Sequence, residues 1–175
     1  MLTERLNAAG HQAAYIRPLF IFMKEGSASE RISPRRARVG GSNIGKRVAL
    51  GVAGYFYALA CYFKMRFGMG RGKVIVCDRY FYQFFFDLFG RSGARVAAAF
   101  PKPDMVFFLS AELNTLYSRM TSVSDRAVDR GYYQETAKLF DLLSEKQGFI
   151  RVDASLSQEA VSDVIFKHLS GRLEK

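Results

Sequence analysis

The sequence is poor in the residues that staple small proteins together. Its 175 residues hold two cysteines, Cys61 and Cys77, and two histidines, His11 and His168. Two thiols are too few for a disulfide scaffold, so they read as reduced, buried side chains. The cysteines lack metal-ligand spacing and the histidines lie far apart, which argues against a structural zinc site. Acidic residues are scarce as well: 16 Asp and Glu stand against 26 Lys and Arg, a formal net charge of +10. Such a surface favours polyanions: phosphorylated small molecules, nucleic acid or acidic lipid. Residues 48–63 (VALGVAGYFYALACYF) carry no charge, but sixteen residues fall short of the ~20 that a bilayer span requires. A buried or half-buried helix is expected there, and no membrane span. No internal repeat is present.

What the sequence does contain is globular. Apolar residues make up 49% and charged residues 24% of the chain. That composition excludes disorder over the whole length and predicts one domain, residues 1–175, with a real core. The first ten residues are mixed and helical in pattern rather than a basic stretch followed by an apolar one. A cytoplasmic protein without a secretory leader is therefore expected.

Helical and strand patterns alternate along the chain. Residues 1–9 read as an amphipathic helix with Leu2 and Leu6 on one face, closed by Gly10. Residues 12–16 form a short strand candidate that ends at Arg17-Pro18. Residues 19–47 are expected to be a flexible basic loop carrying Arg31, Arg35, Arg36, Arg38, Lys46 and Arg47. Such a loop serves equally as a solvated surface or as a phosphate or nucleic-acid contact. A helix is expected over 48–67. Residues 73–77 (KVIVC) have the β-branched character of a central parallel strand buried on both faces. Helical turns follow over 81–88 and 95–100, then a second buried strand over 105–109. Ser110 is placed to cap a helix that runs to about Met120. A polar loop at 121–131, a helix at 132–146 and a strand at 149–152 come next. Ser155 and Gln158 fit a capping box for the last helix, to about Leu169. This rhythm predicts an α/β fold: a mostly parallel sheet covered by helices on both faces. Ligands in such folds bind beyond the C-terminal ends of the strands. Arg17, the Asp78-Arg79 pair and Asp153 all sit at such ends.

Two motifs invite a phosphate reading. Gly40 to Lys46 (GGSNIGK) fits G-x-x-x-x-G-K, but RRARV rather than a buried strand precedes it. Arg47 also stands where a magnesium-binding hydroxyl belongs, so a phosphate-binding loop is rejected there. Asp78-Arg79-Tyr80 is stronger. A guanidinium at a strand end can grip a phosphate through two hydrogen bonds, and the adjacent carboxylate can hold magnesium. The rival reading is a structural ion pair.

The run from Lys73 to Tyr80 (KVIVCDRY) resembles the strand and D-R-Y motif of the thymidylate kinase family, a group of P-loop nucleoside-monophosphate kinases. Pro101 to Leu109 (PKPDMVFFL) is similar to that family's next strand and its P-x-P-D entry. Thr115 to Met120 (TLYSRM) resembles the helix before its lid, and Val152 to Ser155 (VDAS) its last strand and adenine-side loop. The order and spacing agree from residue 1 to about 170.

The resemblance implies transfer of the γ-phosphoryl group of ATP, with Mg2+, to a nucleoside monophosphate. It implies that Arg17 and Arg79 grip the acceptor phosphate, with Tyr80 and Tyr82 near the acceptor. Asp78 would hold magnesium, and Asp78, Arg79 and Arg119 would be catalytic. Arg119, Arg126 and Arg130 would serve as lid arginines, and Asp153, Ala154 and Ser155 would lie near adenine. It also implies a homodimer and no specific nucleic-acid partner. The aromatics at 55–57 and 80–82 stack on the base in that picture; ordinary core packing is the competing account, and the favoured one. The family's first strand and Gly-rich loop have no counterpart in the sequence, which opens within the helix that follows them. This chain is therefore expected to be N-terminally shortened, or else a relative that no longer turns over ATP, and to show little kinase activity. Two other functions compete: a non-catalytic nucleotide- or nucleic-acid-binding protein, and a membrane-associated protein with residues 48–67 at the lipid surface.

Overall fold

The computed structural model describes residues 2–21, 44–69, 72–119 and 130–173. The chain divides into two compact units. One comprises Met1–Gly10 with Lys102–Lys175, the other His11–Pro101. Each holds one parallel strand pair, so contacts concentrate within each pair and the helices around it.

In the His11–Pro101 unit, β1 (Ala13–Ile16) pairs in parallel with β2 (Val74–Cys77). Between them run a short 3-10 turn, Pro18–Phe20, and the helix α2 (Ile44–Phe63), which continues as a π-helical turn over Lys64–Met69. Beyond β2 come α3 (Tyr82–Phe89) and α4 (Gly93–Ala99). The core of this unit is aromatic. Phe81, Tyr82, Phe85 and Phe100 are buried. The ring of Phe100 lies 5.0 Å from those of Phe81 and Phe85, 5.7 Å from Tyr55, and 6.1 Å from Tyr62 and Tyr80. These are the offset and edge-on separations at which aromatic quadrupoles attract. Helices α3 and α4 meet closely at Gly93, where a Cβ would stand 2.5 Å from the carbonyl oxygen of Phe85.

In the other unit, β3 (Phe107–Ser110) pairs in parallel with β4 (Ile150–Asp153). Helix α5 (Leu113–Arg119) follows β3, α6 (Arg130–Gln147) precedes β4, and α7 (Gln158–Leu173) closes the chain. The N-terminal α1 (Leu2–Ala8) packs on α7: Leu6 is fully buried, and Arg5 pairs with Asp163 while its guanidinium covers the Phe166 ring. Phe108 stacks on Phe140, and Arg151 lies over Phe108 while pairing with Asp141 at 2.6 Å.

The α/β character and the parallel pairing agree with the sequence. Among the described residues the strands form two two-stranded sheets. Val74 to Cys77 are half-buried rather than enclosed on both faces, and Leu109 of β3 is exposed. A two-stranded pair has too little surface to enclose an apolar run that a central strand would bury. Helix α2 starts at Ile44, so residues 44–47 of the expected flexible loop are helical, and Leu19 lies in the 3-10 turn. Residues 22–43, with the basic run from Arg31 to Arg38, lie outside the described residues. Two caps differ as well. Ser110 ends β3, and its carbonyl accepts the Ala154 N–H at 2.8 Å, so α5 starts three residues later. Ser157, not Ser155, receives the N–H of Ala160 at the start of α7. The N–H of Ser155 is already held by Asp153.

Removing the central ring should be costly. Phe100→Ala is expected to lower stability by about 3–5 kcal/mol, and Gly93→Ala by about 1–3 kcal/mol through overpacking. Urea unfolding followed by circular dichroism measures both; a loss below about 1 kcal/mol for Phe100→Ala would refute its place at the centre of the core.

Candidate strand-end anion site

Parallel pairing brings the first candidate group together. The register Ile16 to Cys77 places Arg17 and Asp78 side by side, each one residue beyond its strand, and the Asp78 N–H donates to the Ile16 carbonyl at 2.9 Å. Pro18 keeps the preceding residue extended, so Arg17 continues the line of β1 (φ −100°, ψ 101°) instead of curling into the 3-10 turn. Its Nε donates to Asp78 Oδ2 at 3.1 Å. The Tyr15 hydroxyl donates to the same oxygen at 2.7 Å and lies 3.3 Å from Arg17 Nε. Asp78 thus accepts two donors on one oxygen, and the guanidinium of Arg17 is tied through one nitrogen.

Arg79 adopts a left-handed conformation at φ 57°, the one non-glycine residue with positive φ among the described residues. That conformation costs about 1–2 kcal/mol for a residue with a Cβ. The next residue anchors the turn. The Tyr80 ring packs on Phe81 and Phe100, and its hydroxyl donates to the Pro101 carbonyl at 2.8 Å. Arg79 itself is exposed and makes no ion pair among the described residues. The result is an exposed arginine on a strained turn, next in sequence to the carboxylate that ties Arg17.

The aromatic candidates separate from this site. Tyr82 is buried, and burial pushes its phenol up to about 12. Tyr80 is also shifted upward by burial and spends its hydroxyl on Pro101. Tyr55 packs on Phe85 and Phe100, and Tyr57 donates to the Leu19 carbonyl at 2.7 Å. These rings pack within the unit, whereas Phe56 is exposed. Burial likewise pushes the Cys77 thiol up to about 11, so at neutral pH it is protonated and unsuited to nucleophilic or metal-binding work.

The second candidate group lies in the other unit. Both Nη atoms of Arg119, at the end of α5, donate to the loop after β4: Nη1 to the Ala154 carbonyl and Nη2 to the Ser155 carbonyl at 2.7 Å. Asp153 Oδ1 accepts the Ser155 N–H at 2.8 Å. Bonds to Ser155, and then the Arg119 charge, hold its carboxyl below the usual range. The structure therefore joins Arg119 to Ala154 and Ser155, but as a staple that consumes the guanidinium fork. Arg130 donates to Asn114 Oδ1 at 2.8 Å and lies over the Tyr117 ring. Arg126 lies outside the described residues.

Magnesium fits this chain narrowly. No group of three or more metal-ligating side chains occurs among the described residues, and Asp78 has its Oδ2 engaged by two donors. One carboxylate can still serve an ion whose other ligands are water and phosphate. The triphosphate of ATP fits less well, because the single G-x-x-x-x-G-K match in the sequence leads into Arg47 rather than a hydroxyl residue.

Tyr15 was not among the residues singled out from the sequence. Its signal was present: it stands two residues before Arg17, so the period of a strand puts both on one face of β1. No family model matches this chain, and no curated protein matches it either.

The buried phenols and thiol set an alkaline limit. Cys77 at about 11 and Tyr57 and Tyr82 at about 12 keep protons that the unfolded chain releases nearer 9 and 10. The unfolded state then binds fewer protons, so stability falls as pH rises. The urea midpoint is expected to be flat up to about pH 8 and to drop steadily above about pH 9. A midpoint constant to about pH 11 would contradict the burial of these groups.

Proposed function

We propose that this chain is a nucleotide-binding protein of the thymidylate kinase type, which holds the phosphate of a nucleoside monophosphate at the end of the β1 and β2 pair. One observation carries the reading. Arg17 and Asp78 meet at the C-terminal ends of two adjacent parallel strands, and Arg79, the next residue, stands in a strained conformation. Crevices at the carboxyl ends of parallel strands are where α/β folds take ligands. Backbone strain of this kind clusters at functional sites, which supports the reading.

The residues divide the task as follows. Arg79 offers its full guanidinium fork to a phosphate. Arg17 offers its two Nη atoms, since Asp78 and Tyr15 engage it through Nε. Asp78 holds Arg17 in place and keeps one oxygen for a magnesium ion that arrives with phosphates. Magnesium would neutralise charge on those phosphates; no other chemistry is assigned to it here. Phosphoryl transfer from ATP needs a phosphate cradle, and the one G-x-x-x-x-G-K match leads into Arg47 rather than a hydroxyl residue, so turnover by this chain is expected to be negligible. The reading also carries a mostly parallel sheet covered on both faces by helices. The apolar character of β2 and β3, beyond what one neighbour buries, supports it.

Calorimetric titration with thymidine monophosphate and with thymidine tests the proposal. The monophosphate is expected to bind at least about 10-fold more tightly, with that advantage lost on Arg79→Ala and reduced on Arg17→Ala, since a charge-assisted fork is worth roughly 1.5–3 kcal/mol. Equal affinity for nucleotide and nucleoside would refute it. Tight binding to DNA that falls steeply with salt and ignores the nucleotide would replace it with the nucleic-acid reading.

A further inference from the structure

Helix α2 has two apolar faces, and its own unit covers one of them. Ala58, Cys61 and Met65 of the continuous α2 and π-turn segment are buried. On the opposite side stand Val52, Phe56, Phe63 and Phe67, with Phe56 63% and Phe67 61% exposed. At about 100° per residue, Val52, Phe56 and Phe63 fall within roughly 40° of one another. The wider π-helical turn keeps Phe67 on that line, where its ring stacks on Phe63 at 5.8 Å. At the N-terminal end, Val52 and Phe56 run into an open groove of about 490 Å³, lined also by Gly51, Tyr55, Phe89 and Val96, with Arg95 as its cation. A helix that is apolar all round is normally enclosed. This one leaves an aromatic stripe in water.

The charge of the protein is concentrated on the same stretch of chain. Residues 31–77 contain ten Lys and Arg and no Asp or Glu, so sixteen of each sign remain elsewhere. The whole net charge of +10 therefore resides in the segment that contains α2. No described helix is long and apolar enough to cross a membrane.

We propose that the exposed face of α2 docks on an anionic lipid surface, with Phe56, Phe63 and Phe67 entering the interface and the exposed Lys64, Arg66 and Arg95 meeting lipid headgroups. An apolar stripe set in a purely basic segment is the pattern of a helix that lies in the interface plane. Acidic headgroups add attraction of about 1 kcal/mol for each basic residue near the surface. Charge decides between this occupant and two others. A second copy seated on the same stripe would bring two all-basic segments together with no acidic residue to offset them. Nucleic acid would satisfy the charge but would gain nothing from exposed valine and phenylalanine. An anionic bilayer satisfies both.

Because the sequence has no tryptophan, Phe56→Trp makes a single reporter. Vesicles of phosphatidylcholine with roughly a quarter phosphatidylglycerol are expected to shift its emission to the blue, while pure phosphatidylcholine leaves it unchanged. In flotation with the anionic vesicles, the full chain should partition at least about 10-fold more strongly than the Phe56→Ser/Phe63→Ser variant. Both positions are solvent-exposed, so the variant is expected to retain the far-ultraviolet circular dichroism of the parent. Unchanged tryptophan emission at saturating anionic lipid would overturn the proposal. So would equal partition of the parent and the double-serine variant, which would mean adsorption by charge alone. A stable dimer in sedimentation velocity that the double-serine variant abolishes would assign the stripe to a second copy instead.

Discussion

Five aromatic rings meet on Phe100, and the placement of the candidate phosphate site depends on that meeting. Tyr55 and Tyr62 bring α2 to it, Phe85 brings α3, and Tyr80 and Phe81 bring the chain that leaves β2. Phe100 itself ends α4 in an extended conformation before Pro101, and the Pro101 carbonyl receives the Tyr80 hydroxyl. The residue on one side of the Arg79 turn is thus held by a ring contact and a hydrogen bond. On the other side, the Asp78 backbone is fastened to β1. A left-handed arginine persists because both flanks are fixed, and the core supplies the energy that the turn costs. A two-stranded sheet is a weak scaffold; here the aromatic core supplies the rigidity that a larger sheet would.

The two groups of candidate residues use arginine differently. At the end of β1 and β2, Arg17 is tied through one nitrogen and Arg79 makes no ion pair among the described residues. Guanidinium capacity is left over, and that is what a phosphate requires. At the end of α5, Arg119 gives both of its terminal nitrogens to backbone carbonyls of the loop after β4. Its present work is to hold that loop. An anion there would have to displace two charge-assisted bonds, so the strand-end pair is the better candidate for a resting anion site.

Much of the local structure was legible in the residues. The helix that Gly10 closes, the strands at 13–16, 74–77, 107–110 and 150–153, and the aromatic helix after Tyr80 follow from periodicity and turn chemistry, and the structure places each within a few residues of its expected bounds. Helix caps were less legible, because Ser110, Ser155 and Ser157 are chemically equivalent and tertiary pairing chose among them. Ser110 was claimed by the ladder to β4, and Ser155 by Asp153, which left Ser157 to cap. The division into two sheets was not legible, since an apolar run such as Val74 to Cys77 encodes burial and not the number of neighbours. Within the candidate site, Arg17, Asp78 and Arg79 could be named from strand ends alone. Tyr15 needed the register of β1 against β2, which fixes which side chains share a face. Tyr82 could not be assigned from the sequence, because a stacking ring and a core ring look alike there.

The end of the β1 and β2 pair is a candidate anion site whose shape exists before the ligand arrives. Amide spectra of the isotopically labelled chain, titrated with thymidine monophosphate, test this most directly. The account predicts saturable shifts at residues 15–17 and 78–80, with the exposed face of α2 and the Arg119 loop unmoved. Shifts confined to the Arg119 loop, or spread over the basic segment without saturation, would contradict it.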